Sequence, residues 1–389
     1  MQSILIKNFR NKKVLITGHT GFKGSWLAMW LNILGARVVG VSNNFPSSPN
    51  HYKLLNLNKK ILSKNLDIRN LEVLKKFIKK YQPDFVFHLA AQSIVKAAYE
   101  KPIQTWSTNS IGTVNILESL RPLKKKCVAV IVTSDKCYEN FEIKRGYNEN
   151  DRLGGKDPYS ASKASADIAI RSYISSFFCH KNNKVFIATA RAGNVIGGGD
   201  WSPNRLIPDC VRSWSKKKKV IIRSPHSTRP WQHVLEVIYG YITLAINLNK
   251  NSTLHGEAFN FGPSNHQNYK VVSVLKLMKE YWKNVSWKLH KNNNKLFKES
   301  SLLKLNSQKS KKILKWRSVL TFQENISLVT NWYKNFYLNS KQVYKLTSSQ
   351  IELYQRILSK RAQNEGCNIS WRFWNAYFRV YKIYSKAND

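Results

Sequence analysis

The amino-acid sequence predicts an α/β protein: a doubly wound parallel sheet with helices on both faces, followed by a smaller, less regular C-terminal region. Three observations lead there. The glycine-rich segment Gly18-His19-Thr20-Gly21-Phe22-Lys23-Gly24 lies between a strand-like and a helix-like stretch. Short apolar runs alternate with helically spaced segments through the first half of the chain. Tyr159-Ser160-Ala161-Ser162-Lys163 then places a tyrosine and a lysine one turn apart on one helix face.

The elements follow in order. Val14 to Thr17 is a short apolar run, the pattern of a buried parallel strand. After the glycine loop, Ser25 to Leu34 reads as a helix stopped by Gly35, and Arg37 to Val41 as the second strand, completing a βαβ unit. Lys64 to Asp67 reads as a third strand. Leu71 to Tyr81 is an amphipathic helix, apolar at 71, 74, 77, 78 and 81 and ended by Pro83. Asp84 to Leu89 is strand four, Thr108 to Leu120 a helix, and Cys127 to Val132 strand five. The Tyr159 helix runs to about Phe178, and Val185 to Ala190 is strand six. Regularity then falls. Turn residues at 197–204 and from Pro225 to Pro230 read as loops, Ala258 to Phe261 as one more strand, and Tyr269–Trp282 and Thr321–Tyr333 as helices.

Composition narrows the class. The 389 residues are enough for one large or two modest domains, and 42% hydrophobic content fits a soluble globular chain. No stretch approaches the roughly 18 uninterrupted apolar residues of a membrane span. The basic start, Met1 to Lys13, lacks a secretory h-region. Five cysteines (127, 137, 179, 210, 367) show no C-x-x-C pairing, the pattern of reduced thiols in a cytoplasm. The net charge of +42 has two readings: a nucleic-acid or anionic-membrane partner, or a lysine-rich bias over a solvated surface. The basic residues are scattered, with short runs only at Lys124–Lys126 and Lys216–Lys219, which favours the second and makes a nucleic-acid partner the weaker expectation.

The motifs carry the chemistry. Gly18, Gly21 and Gly24 permit a tight turn and close backbone approach to a pyrophosphate at a helix N-terminus, with Phe22 beside it. Ser42-Asn43-Asn44 stands where an acidic ribose contact is usual, and Arg37 does not by itself make a 2′-phosphate site, so NAD is expected over NADP. Asp67-Ile68 is placed to meet the adenine, and small residues after His88, Ala90 among them, let a cofactor lie against backbone. His88 reads as a satisfied buried histidine. In Tyr159-x-x-x-Lys163 the ammonium is expected to lower the tyrosine pKa from about 10 toward working pH. Thr133-Ser134-Asp135-Lys136 ends strand five, where ligands bind in such sheets. A carboxyl and an amine beside the hydroxyl are more than plain dehydrogenation needs, and point to further acid/base work. The pattern requires no metal.

These motifs resemble those of the extended short-chain dehydrogenase/reductases, Rossmann-type enzymes that act on nucleotide sugars. The likeness spans residues 12–335. Lys23, the Ser134-Asp135-Lys136 trio and Arg229-Pro230-Trp231-Gln232-His233-Val234 are most similar to the 4,6-dehydratases of CDP-glucose. The resemblance implies a 4,6-dehydratase that yields a CDP-4-keto-6-deoxy-glucose and regenerates NAD⁺, and it implies roles. Tyr159 takes the proton of the sugar 4-hydroxyl, Lys163 supports the phenolate and nicotinamide ribose, and Ser134 hydrogen-bonds the 4-oxygen. Asp135 protonates the departing 6-hydroxyl. Lys136 stands where relatives carry a glutamate as C5 base. Arg223 and Arg229 pair a diphosphate, Trp231 stacks on base or sugar, and Asn194 and Arg205 face the nucleotide sugar. A homodimer through the helices near 108–120 and 159–178 is implied as well. Another nucleotide-sugar dehydratase, a 4-epimerase, or a binding protein on a degenerate dehydrogenase fold are the alternatives.

The resulting division is a cofactor-binding domain at 1–190 with a return strand near 235–265, a mainly nucleotide-sugar-binding region at 191–345, and an aromatic, basic extension at 346–389. Within the extension, Trp374, Tyr377, Phe378 and Tyr381 share a helical face. Three readings are open: a cap on the chain's own second region or dimer, a peripheral contact with an anionic membrane surface, or a contact with another macromolecule.

Overall fold

A computed structural model of the chain describes residues 2–222, 224–263, 268–289 and 302–363. Arg223 and the aromatic run at 369–385 lie outside the described residues, so the roles expected for them do as well.

The sheet has seven parallel strands: β1 (Lys13–Thr17), β2 (Arg37–Ser42), β3 (Leu62–Asn65), β4 (Phe85–His88), β5 (Cys127–Val132), β6 (Val185–Ala192) and the return strand Ala258–Phe261. Their spatial order is return strand, β6, β5, β4, β1, β2, β3. That is the doubly wound order, with its reversal between β1 and β4. The register there pairs Val14 with Val38 on one side and Phe85 on the other, so the tips of β1 and β4 open side by side. Strands β1, β4 and β5 are buried on both faces, which is why they read as continuous apolar runs rather than alternating ones.

Most elements lie where the periodicity puts them; the differences have local causes. The Tyr159 helix is Pro158–Tyr173, ending in a π-turn over Ile174–Phe178. Its start is fixed by proline at the first position and a reciprocal cap between Asp157 and Ser160. An N-terminal helix, Gln2–Phe9, forms from a segment too short and basic to show a pattern, and buries Leu5 and Phe9, the latter 4.9 Å from Phe85 between ring centroids. Within 235–265, where the sequence suggested a return strand, residues Val234–Lys250 form a helix and only Ala258–Phe261 is strand. That helix is buried nearly all round, so it has no polar face to reveal its period. The segment beginning at Tyr269 starts with two residues paired antiparallel to Thr228–Arg229 and turns helical only at Val271.

One large core joins the sheet's outer face to the C-terminal part. The segment after 342 is a helix, Val343–Gln363, that packs back on the first part of the chain. Tyr354 meets Trp30 edge-on at 5.8 Å. Thr347 hydrogen-bonds both His51 (3.2 Å) and Trp332 (3.1 Å). The Glu236 carboxylate accepts from the backbone of Val319 (2.8 Å) and Leu320 (2.6 Å), from Ser318 (3.2 Å) and from the Tyr354 hydroxyl (2.8 Å). Through residue 363 the extension therefore caps the chain's own structure. No described helix is long and apolar enough to cross a membrane.

Candidate active site

The glycine loop closes against backbone. Gly18 has φ +74°, and a Cβ there would lie 2.8 Å from the Ala90 Cα; a Cβ on Gly24 would lie 2.1 Å from the Gly18 carbonyl oxygen. Any other residue would force the loop away from β4, so the cradle is shaped for close backbone approach, as a dinucleotide pyrophosphate needs. At the tip of β3, Asp67 is held by Arg69 at 2.5 Å and accepts from Asn43 at 2.9 Å, while Ile68 is buried under Gly112. β2 ends at Ser42, and neither Ser42 nor Asn43 carries a carboxylate; the one that meets Asn43 is Asp67, from beyond β3.

His88 is a satisfied core histidine. Thr17 Oγ1 accepts from the Ala90 N–H (3.2 Å) and lies 2.7 Å from His88 Nδ1, whereas Thr113 gives its hydrogen to the Asn109 carbonyl and lies 3.2 Å from Nε2. This pattern fits a neutral ring protonated on Nε2. Burial and the charge of Lys163 push its pKa down to about 3.

Strand β5 delivers the next group. Thr133 donates to Asp167 (2.8 Å), which pins the strand end to the Tyr159 helix. Ser134 caps the short turn Asp135–Cys137 by accepting from the Lys136 N–H at 3.2 Å. It also accepts from the Tyr159 hydroxyl at 3.5 Å and donates to Asp135 Oδ1 at 3.0 Å. Asp135 is 4% exposed and walled by Gly193, where a Cβ would lie 1.9 Å from a carboxylate oxygen. The Gly193 carbonyl is held in turn by the Gln232 amide at 2.9 Å. Lys136 is half-buried, with no hydrogen-bond or ion-pair partner for its ammonium among the described residues.

Tyr159, Lys163 and Asp167 recur at four-residue steps along one buried helix face. Asp167 forms a bidentate ion pair with Arg191, both fully buried, at 2.6 and 3.0 Å. The electrostatics depart from the sequence expectation. Burial pushes Tyr159 up to about 12, and the groups acting on it are the Ser134 hydrogen bond and the charges of Asp135, Arg205 and Asp157. Lys163, the neighbour one turn on, is not among those groups, so the loss of solvent decides the direction. Burial also brings Lys163 down to about 8, against the opposing pull of Asp167 and Cys137.

Two residues enter the cleft that motif reading did not assign to it. Lys23 donates to the Tyr241 hydroxyl at 3.4 Å; burial first, then Lys163 and Arg205, bring it down to about 7, with Asp135 opposing. Tyr241 is fully buried, and the charges of Tyr159 and Asp135 act on it. The position of Lys23 inside a glycine loop was a signal in the sequence; Tyr241, on a helix buried nearly all round, gave none.

The substrate-side residues are more spread. Arg205 pairs with Asp200 at 3.0 Å and reaches Ser93 at 3.3 Å, bridging the two rims. Asn194 sits in a left-handed turn (φ +52°) beside Gly193. Arg229 lies half-buried on the edge pair with Tyr269. Trp231 is 7% exposed, its indole N–H on the Tyr269 carbonyl at 3.0 Å, within the core.

A doubly wound sheet with a close-packed glycine loop, and a Tyr-x-x-x-Lys helix meeting the tips of β4 and β5, is the architecture of an extended short-chain dehydrogenase/reductase. The chain belongs to the family described as GDP-mannose 4,6 dehydratase, whose model matches residues 15–329. It is 42% identical to the CDP-glucose 4,6-dehydratase of Salmonella typhimurium, over 84% of this chain and 92% of that one. Among solved structures, the fold matches the epimerase Mth375 of Methanothermobacter thermautotrophicus with a TM-score of 0.74 at 21% identity, covering 88% of this chain and 98% of that one. It also matches the UDP-glucose 4-epimerase of Brucella ovis in complex with NAD, with a TM-score of 0.68 at 17% identity over 83% and 98%.

Proposed function

We propose that this protein is an NAD-dependent CDP-glucose 4,6-dehydratase. The observation that carries the reading is the buried contact between Tyr159, Ser134 and Asp135, which sets a redox base beside an acid on one cleft wall. A 4-epimerase needs no such acid. The 42% identity to a CDP-glucose 4,6-dehydratase supports the choice of nucleotide.

The glycine cradle formed by Gly18, Gly21 and Gly24, with Phe22, Asp67, Ile68 and Ala90 around it, fits NAD, and Ser42 and Asn43 stand where an acidic ribose contact is usual. Bound there, NAD supplies a hydride acceptor and a positive charge beside Tyr159. Tyr159 as phenolate takes the proton of the sugar 4-hydroxyl, and the Lys163 cation favours that form. The ketone so made at C4 acidifies the C5 proton. Lys136, at the mouth of the β5 turn, takes it as the neutral amine; Asp135 protonates the departing 6-hydroxyl. Arg205 and Arg229 hold the diphosphate by planar, charge-assisted forks, with Asn194 on the sugar side; Trp231 supports that side from the core. Residues 1–190 with the return strand serve the cofactor, and 191–345 mainly the nucleotide sugar. We place the enzyme in cytoplasmic deoxysugar synthesis for lipopolysaccharide O-antigen. A homodimer is supported by the apolar residues Tyr99, Ile103, Trp106, Ile111 and Ile168, all at least 40% exposed on neighbouring helices.

The test is purified protein with NAD⁺ and CDP-glucose, the product weighed by mass spectrometry, with UDP-, GDP- and dTDP-glucose in parallel. Loss of one water from the CDP sugar alone is the expected result. Loss from another nucleotide instead would keep the reaction and discard the base preference.

A further inference from the structure

The Ser134 hydroxyl is fully committed, and its commitments have a direction. A hydroxyl has one hydrogen to give and two lone pairs. One lone pair takes the Lys136 N–H, a donor with nothing else to do at the head of its turn, at 3.2 Å. The hydrogen goes to Asp135 Oδ1 at 3.0 Å. The second lone pair faces the Tyr159 hydroxyl, at 3.5 Å the outer limit for such a bond, and catalytic hydrogen bonds of this kind commonly tighten around substrate. All three side chains are buried: Tyr159 is 8%, Ser134 5% and Asp135 4% exposed. A hydroxyl so arranged forms an unbroken donor chain from Tyr159 to Asp135.

Resting on the dehydratase reading, the proton accounts of the reaction give this chain a task. Oxidation at C4 leaves one proton too many on Tyr159, and water loss takes one proton from Asp135. We propose that Ser134 is a proton relay, so that the proton removed from the sugar 4-hydroxyl is delivered through Ser134 and Asp135 to the departing 6-hydroxyl.

The step balances within the site. The Tyr159 O–H bond breaks and an O–H bond forms on Ser134 Oγ. The Ser134 hydrogen passes to Asp135 Oδ1, and a hydrogen from Asp135 joins the C6 oxygen as the C6–O bond breaks. The products are water, the Asp135 carboxylate and the Tyr159 phenolate, which is the form that opens the next turnover. The direction is downhill at the far end: Tyr159 lies near 12, whereas the conjugate acid of a leaving hydroxide, water, lies near 15.7. Asp135 begins and ends the step as carboxylate, passing on the hydrogen it receives from Ser134, and needs no proton from bulk water. Gly193, pressed on the Asp135 carboxylate, keeps water from that side.

The test follows reduced cofactor by its absorbance in a single turnover with CDP-glucose. In Ser134→Ala the rise reports C4 oxidation and the decay reports water loss and hydride return. The relay requires a decay at least tenfold slower than in the parent, with the rise slowed less, so that reduced cofactor accumulates; Ser134→Thr, which keeps the hydroxyl, restores the decay. A slowed rise with an unchanged decay would mean that Ser134 serves only the 4-oxygen, and would overturn the relay. A second measurement needs no variant: in mixed H₂O and D₂O, the parent's decay rate should curve against deuterium content, as several protons move together, and a straight line would count against the relay. Failure of the dehydratase reading looks different, because the parent would then remove no water from CDP-glucose at all.

Discussion

The two walls of the cleft are built in opposite ways. The wall carrying Tyr159, Ser134 and Asp135 is polar, buried and local: its side chains come from neighbouring positions on one strand end and from four-residue steps on one helix. The segment Gly197–Trp201, leading to Arg205, is shaped by aromatic packing from far along the chain. The Tyr333 hydroxyl contacts the Gly197 and Asp200 carbonyls at 3.1 and 2.6 Å, 136 and 133 residues away in sequence. A Cβ on Gly198 would lie 2.0 Å from the Trp332 ring, and Trp26 donates its indole hydrogen to the Gly198 carbonyl at 2.8 Å. The contrast teaches that the chemistry resides in short spacing, while the shape of the substrate side depends on the C-terminal helices. Each wall should therefore fail differently.

The largest effect is expected on the first wall. Asp135→Asn keeps the volume and an acceptor for Ser134 but cannot serve as acid, so dehydration should fall about 10²–10⁴-fold while C4 oxidation persists and the melting temperature stays within about 2 °C. An undiminished turnover would remove Asp135 from its role, and a collapsed melting temperature would show that this wall is structural too. On the second wall, Gly198→Ala should cost about 1–3 kcal/mol through overpacking against Trp332. Calorimetry should register that loss while the folded fraction keeps measurable activity; a rate loss at unchanged stability would erase the distinction. The smallest effect concerns Glu236, which burial pushes up to about 7, with its four hydrogen-bond donors opposing. The folded state then holds this proton more tightly than the unfolded chain, whose glutamate titrates near 4.3. Its contribution to stability is full at low pH and is lost as pH rises from about 4.5 to about 7. Glu236→Gln cannot ionise, so its melting temperature should depend less on pH across that window than the parent's. An equal slope would mean that burial does not raise Glu236 above the range of a free glutamate.

This difference between the walls also explains what the sequence disclosed. Strand β5 lies where its apolar run places it, and Tyr159 and Lys163 share a buried helix face as their spacing requires. Spacing could not disclose the balance of forces on Tyr159, because burial is a property of the assembled site. Tyr241 was invisible because a helix buried all round has no period to betray which residue faces a cleft. The helix Leu206–Ser215 and the two-residue pair Val195–Ile196 with Gln232–His233 were equally hidden, the latter because it exists only as a contact between distant segments. For Trp231, the motif indicated the residue and the structure supplied its surroundings, a core whose members come from three parts of the chain.

The bond between His51 and Thr347 joins residues 296 positions apart. A ribosome adding about 5–20 residues per second needs roughly 15–60 s to travel from one to the other. During that interval the nucleotide-binding strands can already pair, yet Trp30 still lacks the C-terminal helix that meets it. The nascent chain thus passes through a period in which its sheet is formed and its aromatic seam is bare, and chaperones that grasp exposed aromatic surface have a natural moment to act on it.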